Sequence, residues 1–355
     1  MSIQRIESLR KKMRIKGIDG LFVIHRPNLE YLLNIDFSIE GACLITYKDV
    51  YFLTDFCNFE EAKEKIKNAR VVFAGKKLVN LIDSIAGQDK VKKLGIEHQY
   101  LSIARYNEIK KAGNIEIVYA GGMVEELRMF KERSEIENIR KACELTTFVF
   151  FRILNMLRPG MTEKEVARRI EGFIRENGGE IAFETIVASG LRSGYPHGTA
   201  SDKSLCSGDA VIIDFGVRYK GYHSDFTRTI FVGKPGPLER KIYNLIRCAQ
   251  EKAIEKIKDG IFCSAVDLAA RSYIIKKGYG KNFGHSLGHG VGKEVHELPG
   301  LSRKSKVAMK AGMVVAVEPG IYIPGGFGVR IEDTVLVTDE GAEILTDAPR
   351  NIILI

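Results

Sequence analysis

Two aspartates, Asp214 and Asp225, sit where a pair of carboxylates can act together. They lie within residues 209–232, in two arms rich in β-branched and aromatic residues: Ala210-Val-Ile-Ile-Asp-Phe-Gly and His223-Ser-Asp-Phe-Thr-Arg-Thr-Ile-Phe-Val. The arms flank Tyr219-Lys-Gly-Tyr, and this pattern predicts a β-hairpin. A two-residue turn centred on Lys220-Gly221 makes the two acids diagonal neighbours on one face, about 7–8 Å apart at the backbone. Ionised carboxylates so placed repel each other, and a divalent metal, or a pair of metals, between them relieves the repulsion. Taken alone, the hairpin equally fits two solvated aspartates, one of them paired with Arg228.

The pattern occurs a second time. Met313-Val-Val-Ala-Val-Glu-Pro-Gly, a Pro324-Gly-Gly-Phe-Gly turn and Val329-Arg-Ile-Glu-Asp-Thr-Val-Leu-Val form another predicted hairpin with one acid on each arm, Glu318 and Glu332. Helices precede each hairpin. Ser134-Glu-Ile-Glu reads as a capping box opening a helix with Ile136, Ile139, Cys143, Phe150 and Leu154 on its buried side, and Thr162-Glu-Lys-Glu opens the next in the same way. After Pro235-Gly-Pro come helical patterns over residues 238–257 and 264–277. Gly160 through Val166 overlays Gly260 through Val266 at an offset of 100 residues. Two copies of helix, helix, carboxylate hairpin imply an α+β domain with an internal pseudo-two-fold repeat, its sheets meeting at four acids.

Between the hairpins, Gly284-His-Ser-Leu-Gly-His-Gly-Val-Gly-Lys-Glu-Val-His-Glu holds three of the seven histidines. Glycines on both sides of His289 allow its backbone to enter a crowded site. One imidazole with four carboxylates is a mostly hard donor set, which favours two Mn²⁺, Co²⁺ or Fe²⁺ ions and leaves Zn²⁺ open. Two ions about 3.5–4 Å apart can lower the pKa of a shared water and present it to a carbonyl, which is metal-assisted hydrolysis.

Residues 1–122 are expected to form a separate α/β domain with a mixed sheet. Strands are predicted at residues 20–25, 41–46, 49–54, 71–74, 94–97 and 116–120, and helices at 59–69, 78–86 and 102–112. This part contains His25 and His98 but no cluster of ligand spacing, so a capping or oligomerisation role is its default. Gly121-Gly122 marks the expected boundary, with residues 123–355 as the catalytic domain. The N-terminal segment reads as an amphipathic helix with Ile3, Ile6, Leu9 and Met13 on one face, and no signal peptide or membrane span is expected. A formal charge of +9 over 355 residues comes without a dense basic run, so nucleic acid is not an expected partner. Six scattered cysteines without a C-x-x-C suggest reduced thiols and a cytoplasmic protein.

The ordered motifs around His197 (Pro-His-Gly), Asp214 (Asp-Phe-Gly), Asp225 (Ser-Asp-Phe-Thr-Arg-Thr), His289 (Gly-His-Gly-Val-Gly), Glu318 (Glu-Pro-Gly) and Glu332 (Arg-Ile-Glu-Asp) resemble those of the pita-bread metallopeptidases. The N-terminal α/β domain makes the chain similar to the Xaa-Pro branch, prolidase and aminopeptidase P. The resemblance implies hydrolysis of the bond between an N-terminal residue and proline in small peptides, with no membrane partner, by a homodimer. It implies Asp214, Asp225, His289, Glu318 and Glu332 as ligands of two metals, Asp225 and Glu332 bridging both. Glu318 is then also the proton shuttle, His197 and His296 stabilise the oxyanion, His285 lines the proline pocket, and Tyr322 and Arg330 support the site. Two departures stand out: Lys293 where Leu is common, and Asp55-Phe-Cys-Asn-Phe in place of Asp-x-Arg-Tyr. Two rivals share the fold, a metal-free creatinase-like hydrolase and a non-catalytic peptide-binding or chaperone relative. Neither needs five intact ligands. Arg303, in the loop after His296, is a candidate grip for a substrate carboxylate, a solvated arginine being the alternative.

Overall fold

The computed structural model describes residues 2–35, 39–75, 78–112 and 115–355. The chain divides into two compact units, Met1–Arg128 and Met129–Ile355.

The first unit is built on strands β1 (Gly20–Val23), β2 (Ala42–Thr46), β3 (Val50–Thr54), β4 (Arg70–Phe73), β5 (Lys93–Ile96) and β6 (Glu116–Tyr119). They form one sheet in the order β4-β3-β2-β1-β5-β6, in which β2 alone runs antiparallel to its neighbours. The mixed sheet read from the sequence is present, with all six of its strands. Its central strands are buried on both faces, because alternate side chains enter two different cores. Leu21, Val23, Cys43 and Phe52 pack on the side of helices α1 (Ser2–Lys16) and α2 (Arg26–Leu33). Phe22, Leu44 and Leu53 face α4 (Leu78–Asp89) and α5 (Ile103–Ala112). Helices α3 (Phe59–Lys65) and α6 (Glu125–Arg128) complete the unit.

Several helical details differ from the sequence reading, among them the end of α3 at Lys65 and the presence of α6. Ile3 is 71% exposed, so the buried stripe of α1 starts at Ile6. Helix α2 was not foreseen. It buries polar Asn28 and Glu30 together with its leucines, which erases the apolar stripe that periodicity detects. The Asn28 amide donates to Glu97 (2.6 Å) and Glu125 (2.9 Å), while its oxygen accepts from Arg128 (2.8 Å).

The second unit contains helices α7 (Arg133–Leu154), α8 (Glu163–Glu176), α9 (Pro237–Lys256) and α10 (Cys263–Lys276). Its strands are β7 (Glu180–Ile181), β8 (Ile186–Ser189), β9 (Ala210–Phe215), β10 (Val217–Tyr219), β11 (Tyr222–His223), β12 (Phe226–Phe231), β13 (Gly288–Gly290), β14 (Glu297–Leu301), β15 (Val314–Val317), β16 (Gly320–Tyr322), β17 (Gly328–Arg330), β18 (Asp333–Val337) and β19 (Ala342–Ile344). The repeat is visible at the hydrogen-bond level. Gly160 N donates to Leu205 O (2.9 Å) and Leu205 N to Met161 O (2.8 Å); Gly260 N donates to Met309 O and Met309 N to Ile261 O, both at 2.8 Å. Gly160 and Gly260 both have left-handed φ, +91° and +82°, which glycine adopts without strain. The capping box of α8 is the expected one, Thr162 with Glu165. That of α7 is formed by Glu132 and Glu135, two residues before the expected Ser134, because a glutamate carboxylate serves as the acceptor there.

Candidate metal centre

The first hairpin turns at Lys220 (φ +48°) and Gly221 (φ +74°), the paired positive φ values of a two-residue hairpin turn that matches strand twist. That turn fixes the register: Arg218 opposes His223 and Asp214 opposes Thr227, which leaves Asp225 diagonal to Asp214. The ladder is interrupted at Gly216, where a Cβ would lie 2.2 Å from the Ser224 carbonyl oxygen. In the second hairpin Val317 opposes Asp333 and Gly320 opposes Arg330, so Glu318 and Glu332 face each other across the strands.

The two hairpins touch where Thr227 and Glu332 form a β-bridge, Glu332 N donating to Thr227 O at 3.0 Å. Arg228 fastens this seam. Its fully buried guanidinium donates to the carbonyls of Thr227 (3.0 Å), Glu332 (2.6 Å), Ala348 (3.0 Å) and Pro349 (2.9 Å), and to Asp333 Oδ1 (2.7 Å). His289 arrives on β13 between glycines that nothing larger could replace: a Cβ on Gly288 would sit 1.9 Å from Ala316 O, and one on Gly290 2.2 Å from Leu298 O.

Asp214, Asp225, His289, Glu318 and Glu332 therefore converge on one cavity of about 400 Å³, which His197, His285, His296, Tyr322 and Arg330 also line. Asp214, Asp225 and Glu332 offer oxygens within 4.8 Å of one another; His289, Glu318 and Glu332 form a second such group, and Asp225, His289 and His296 a third. His289 Nε2 lies 3.5 Å from Asp225 Oδ2 and 3.6 Å from Glu318 Oε1. Its Nδ1 is 3.1 Å from Gly290 O, a carbonyl that can only accept, so Nδ1 carries the proton and the Nε2 lone pair faces the acids.

The electrostatics of the cluster call for cations. Burial first, then Asp214 and Glu318, push the Asp225 carboxyl far above its usual range; burial, then Asp225, Glu318 and Asp214, do the same to Glu332. Burial takes Glu318 to about 8, against the lowering effect of Arg330. His289 is driven down to about 4 by burial and the neighbouring His296. One guanidinium, Arg330, pairs with Asp214, so among the described residues the other three carboxyls have no paired arginine or lysine to support their ionised form. Asp214 Oδ1 and Glu332 Oε1 are buried acceptors without a hydrogen-bond partner among the described residues. Orphaned carboxylate oxygens beside an imidazole lone pair suit divalent cations.

These shifts predict a pH dependence for the chelated protein. Above about pH 7.5, where the buried histidines are neutral in the folded and unfolded states alike, the carboxylate contribution stands alone. Folded Glu318 keeps its proton up to about pH 8, whereas the unfolded chain has lost it. Stability must then fall as pH rises from about 7.5 to 8.5, by about 0.5–1 kcal/mol from Glu318, and divalent metal reverses the slope. Urea titrations with and without chelator measure this.

Around the five converging groups, Arg330 donates to Tyr322 Oη (2.7 Å), Pro196 O (3.0 Å) and Thr227 Oγ1 (3.2 Å). Tyr322 Oη lies 3.3 Å from His285 Nε2, and His285 Nδ1 2.8 Å from Ser286 O, so the chain runs Arg330 to Tyr322 to His285 with donors in that order. The ring of His296 packs edge-on against His289 at 4.1 Å between centres. His197 is exposed at the cavity wall. Sequence reasoning missed Thr227, whose hydroxyl donates to Glu332 Oε2 (2.7 Å), and Thr334, which binds the backbone of Asp225. The alternation of a strand was the available signal for Thr227, two residues beyond Asp225 on the same face. Lys293 is buried, with its ammonium 4.1 Å from the centre of the Tyr222 ring, and neither it nor Arg303, which is exposed, is among the described residues lining the cavity.

The sequence matches the model of metallopeptidase family M24 over residues 137–339 and that of the creatinase/prolidase N-terminal domain over residues 5–130. The chain belongs to metallopeptidase family M24. Among solved structures it is similar to the Xaa-Pro dipeptidase from Bacillus anthracis, at 40% identity and TM-score 0.97 with both chains covered in full. It is also similar to the X-Pro aminopeptidase from Thermotoga maritima MSB8, at 35% identity and TM-score 0.88 over 97% of this chain and 100% of that one. A Xaa-Pro dipeptidase of Pyrococcus furiosus is 39% identical over 99% of each chain. The pita-bread architecture and the N-terminal mixed-sheet domain expected from the sequence are those of these relatives.

Proposed function

We propose that this peptidase hydrolyses the bond between an N-terminal residue and proline in small peptides, with Asp214, Asp225, His289, Glu318 and Glu332 as the residues that would hold two divalent ions. The convergence of four carboxylates and one imidazole on a single cavity carries this reading. The hard donor set favours Mn²⁺ or Co²⁺, then Fe²⁺ or Zn²⁺. Bound there, the ions supply Lewis acidity and lower the pKa of water.

The chain's own residues do the rest. Glu318, partly open to the cavity, holds the proton taken from water and returns it to the leaving proline nitrogen. His197 and His296 donate to the oxygen of the scissile carbonyl as it gains charge. His285 lines the pocket for the proline ring, fixed by Tyr322, while Arg330 orients Asp214. An X-Pro bond is a tertiary amide without an N–H, so a dedicated site of this kind has a clear chemical purpose. We place the protein in the cytoplasm as a homodimer, with residues 1–122 capping and dimerising and residues 123–355 catalytic. Among the described residues no helix is long and apolar enough to cross a membrane.

Among the described residues lining the cavity, Arg330 is the one arginine or lysine, and it is committed to Asp214, Tyr322 and Pro196. A substrate carboxylate therefore gains no free cation from the lining. With Mn²⁺ or Co²⁺ added, Ala-Pro and Ala-Pro-Ala are both cleaved, with kcat/KM values within about tenfold, a difference of about 1.4 kcal/mol. Chelation stops both reactions. Failure to cleave either peptide with metal present contradicts the reading.

A further inference from the structure

His197 reaches the cavity on the loop that follows β8, residues 190–204, whose one helical feature is a 3-10 turn at Gly190–Gly194. Glu163, the first residue of α8, organises this loop from behind. Its side chain is fully buried. One carboxylate oxygen accepts from Ser189 N (2.7 Å) and Ser189 Oγ (2.8 Å). The other accepts from Ser201 N (3.0 Å), Ser201 Oγ (2.6 Å) and Arg192 Nε (3.0 Å). Arg192 in turn donates to Thr199 O. Donors on both sides of His197 in sequence are thus gathered on one carboxylate. Burial alone would raise its pKa, but the Ser201 and Ser189 donors outweigh burial and hold it below the usual range, so it is ionised and its hydrogen bonds are charge-assisted.

The other half of the repeat uses the same device. On α10 the fully buried Asp267 accepts from Arg271 through both oxygens (2.7 and 2.6 Å) and from Leu287 N (3.2 Å). Arg271 also donates to Phe283 O (3.2 Å) and His285 O (2.8 Å), the loop that carries His285. Each half therefore fastens a histidine-bearing loop to a buried acid on its second helix.

We propose that Glu163 is a positioning residue for His197, setting where the imidazole stands in the cavity while touching no substrate itself. It is not among the residues lining the cavity. The inference rests on His197 acting on the substrate carbonyl. Glu163→Gln presents an amide donor where two hydroxyls, two backbone amides and a guanidinium all need an acceptor, and the loop shifts.

The test is a double-mutant cycle with Glu163→Gln and His197→Ala, read as kcat and KM on Ala-Pro with Mn²⁺, alongside bound metal per chain. Misplacing a catalytic group by about 1 Å can cost about 100-fold, so Glu163→Gln is expected to lower kcat about 10- to 100-fold, with KM within about twofold and metal content unchanged. In the His197→Ala background the same substitution costs less than about twofold in kcat, because the group it positions is gone. Additive losses overturn the positioning role alone, and a silent His197→Ala overturns the reading of His197 and the positioning with it. Should Glu163→Gln not fold, Ser201→Ala, which removes one hydroxyl donor, carries the same expectation at about threefold, again vanishing without His197.

Discussion

Asp225→Asn lowers kcat/KM on Xaa-Pro peptides at least about a thousandfold, a loss of about 4 kcal/mol, at saturating Mn²⁺ or Co²⁺. The side chain is isosteric, and the backbone bonds of Asp225 to Thr334 are untouched, so the fold is kept. What is lost is the carboxylate flanked by Asp214, Glu318 and Glu332, the one expected to serve both ions. The same substitution must make the chelated protein more stable. Asp225 is a buried acid whose carboxyl is pushed up by burial and by its neighbours, so its charged form opposes folding at neutral pH and a neutral amide removes the penalty. A loss of turnover with a gain in chelated stability distinguishes a ligand from a structural residue. Steady-state kinetics with urea unfolding in chelator reads both, and full metal-dependent turnover in the variant contradicts the assignment.

Arg228→Met destabilises the protein by about 3–5 kcal/mol, the range for removing one member of a buried ion pair. No other side chain on the seam binds as many groups: it holds four carbonyls and Asp333 between strands that belong to the two halves of the repeat. Asp333 keeps Gln250 (3.0 Å), Thr346 (2.7 Å) and the partly exposed Arg350 (3.7 Å) but loses its fully buried cation. Because Thr227 and Glu332 offer their carbonyls to the same guanidinium nitrogen, metal affinity falls together with stability. Replacing Asp333 by leucine in the same chain recovers part of the loss, since an apolar pair leaves no fully buried charge unmatched and Arg350 reaches solvent. Chemical denaturation gives the free energies, and a cost for Arg228→Met below about 1 kcal/mol contradicts this account of the seam.

Much of the site was legible because short turns impose register. Once Lys220-Gly221 is taken as a two-residue turn, the pairing of Asp214 with Thr227, and hence the diagonal placement of Asp225, follows without further information. The second hairpin and the 100-residue offset then supply the other acids. The seam itself was not legible. That Thr227 meets Glu332 across more than a hundred residues is decided by packing between halves, and Arg228 looked like a surface partner of an aspartate while it is wholly buried. Glu163 was invisible for a related reason. An acid in the first turn of a helix is what capping and the helix dipole already favour, so nothing in Thr162-Glu-Lys-Glu distinguishes an acid that collects five donors from one that faces water. Tyr322 and Arg330 entered through family resemblance alone, since neither spacing nor periodicity ties them to Asp214 and His285.

The most direct measurement is anomalous diffraction from crystals grown with Mn²⁺. Two peaks per chain are expected in the cavity, both in contact with Asp225 and Glu332, one of them also with Asp214 and the other with His289 and Glu318. A single peak, peaks away from these side chains, or no bound ion in a protein that still cleaves Ala-Pro contradicts the dinuclear centre.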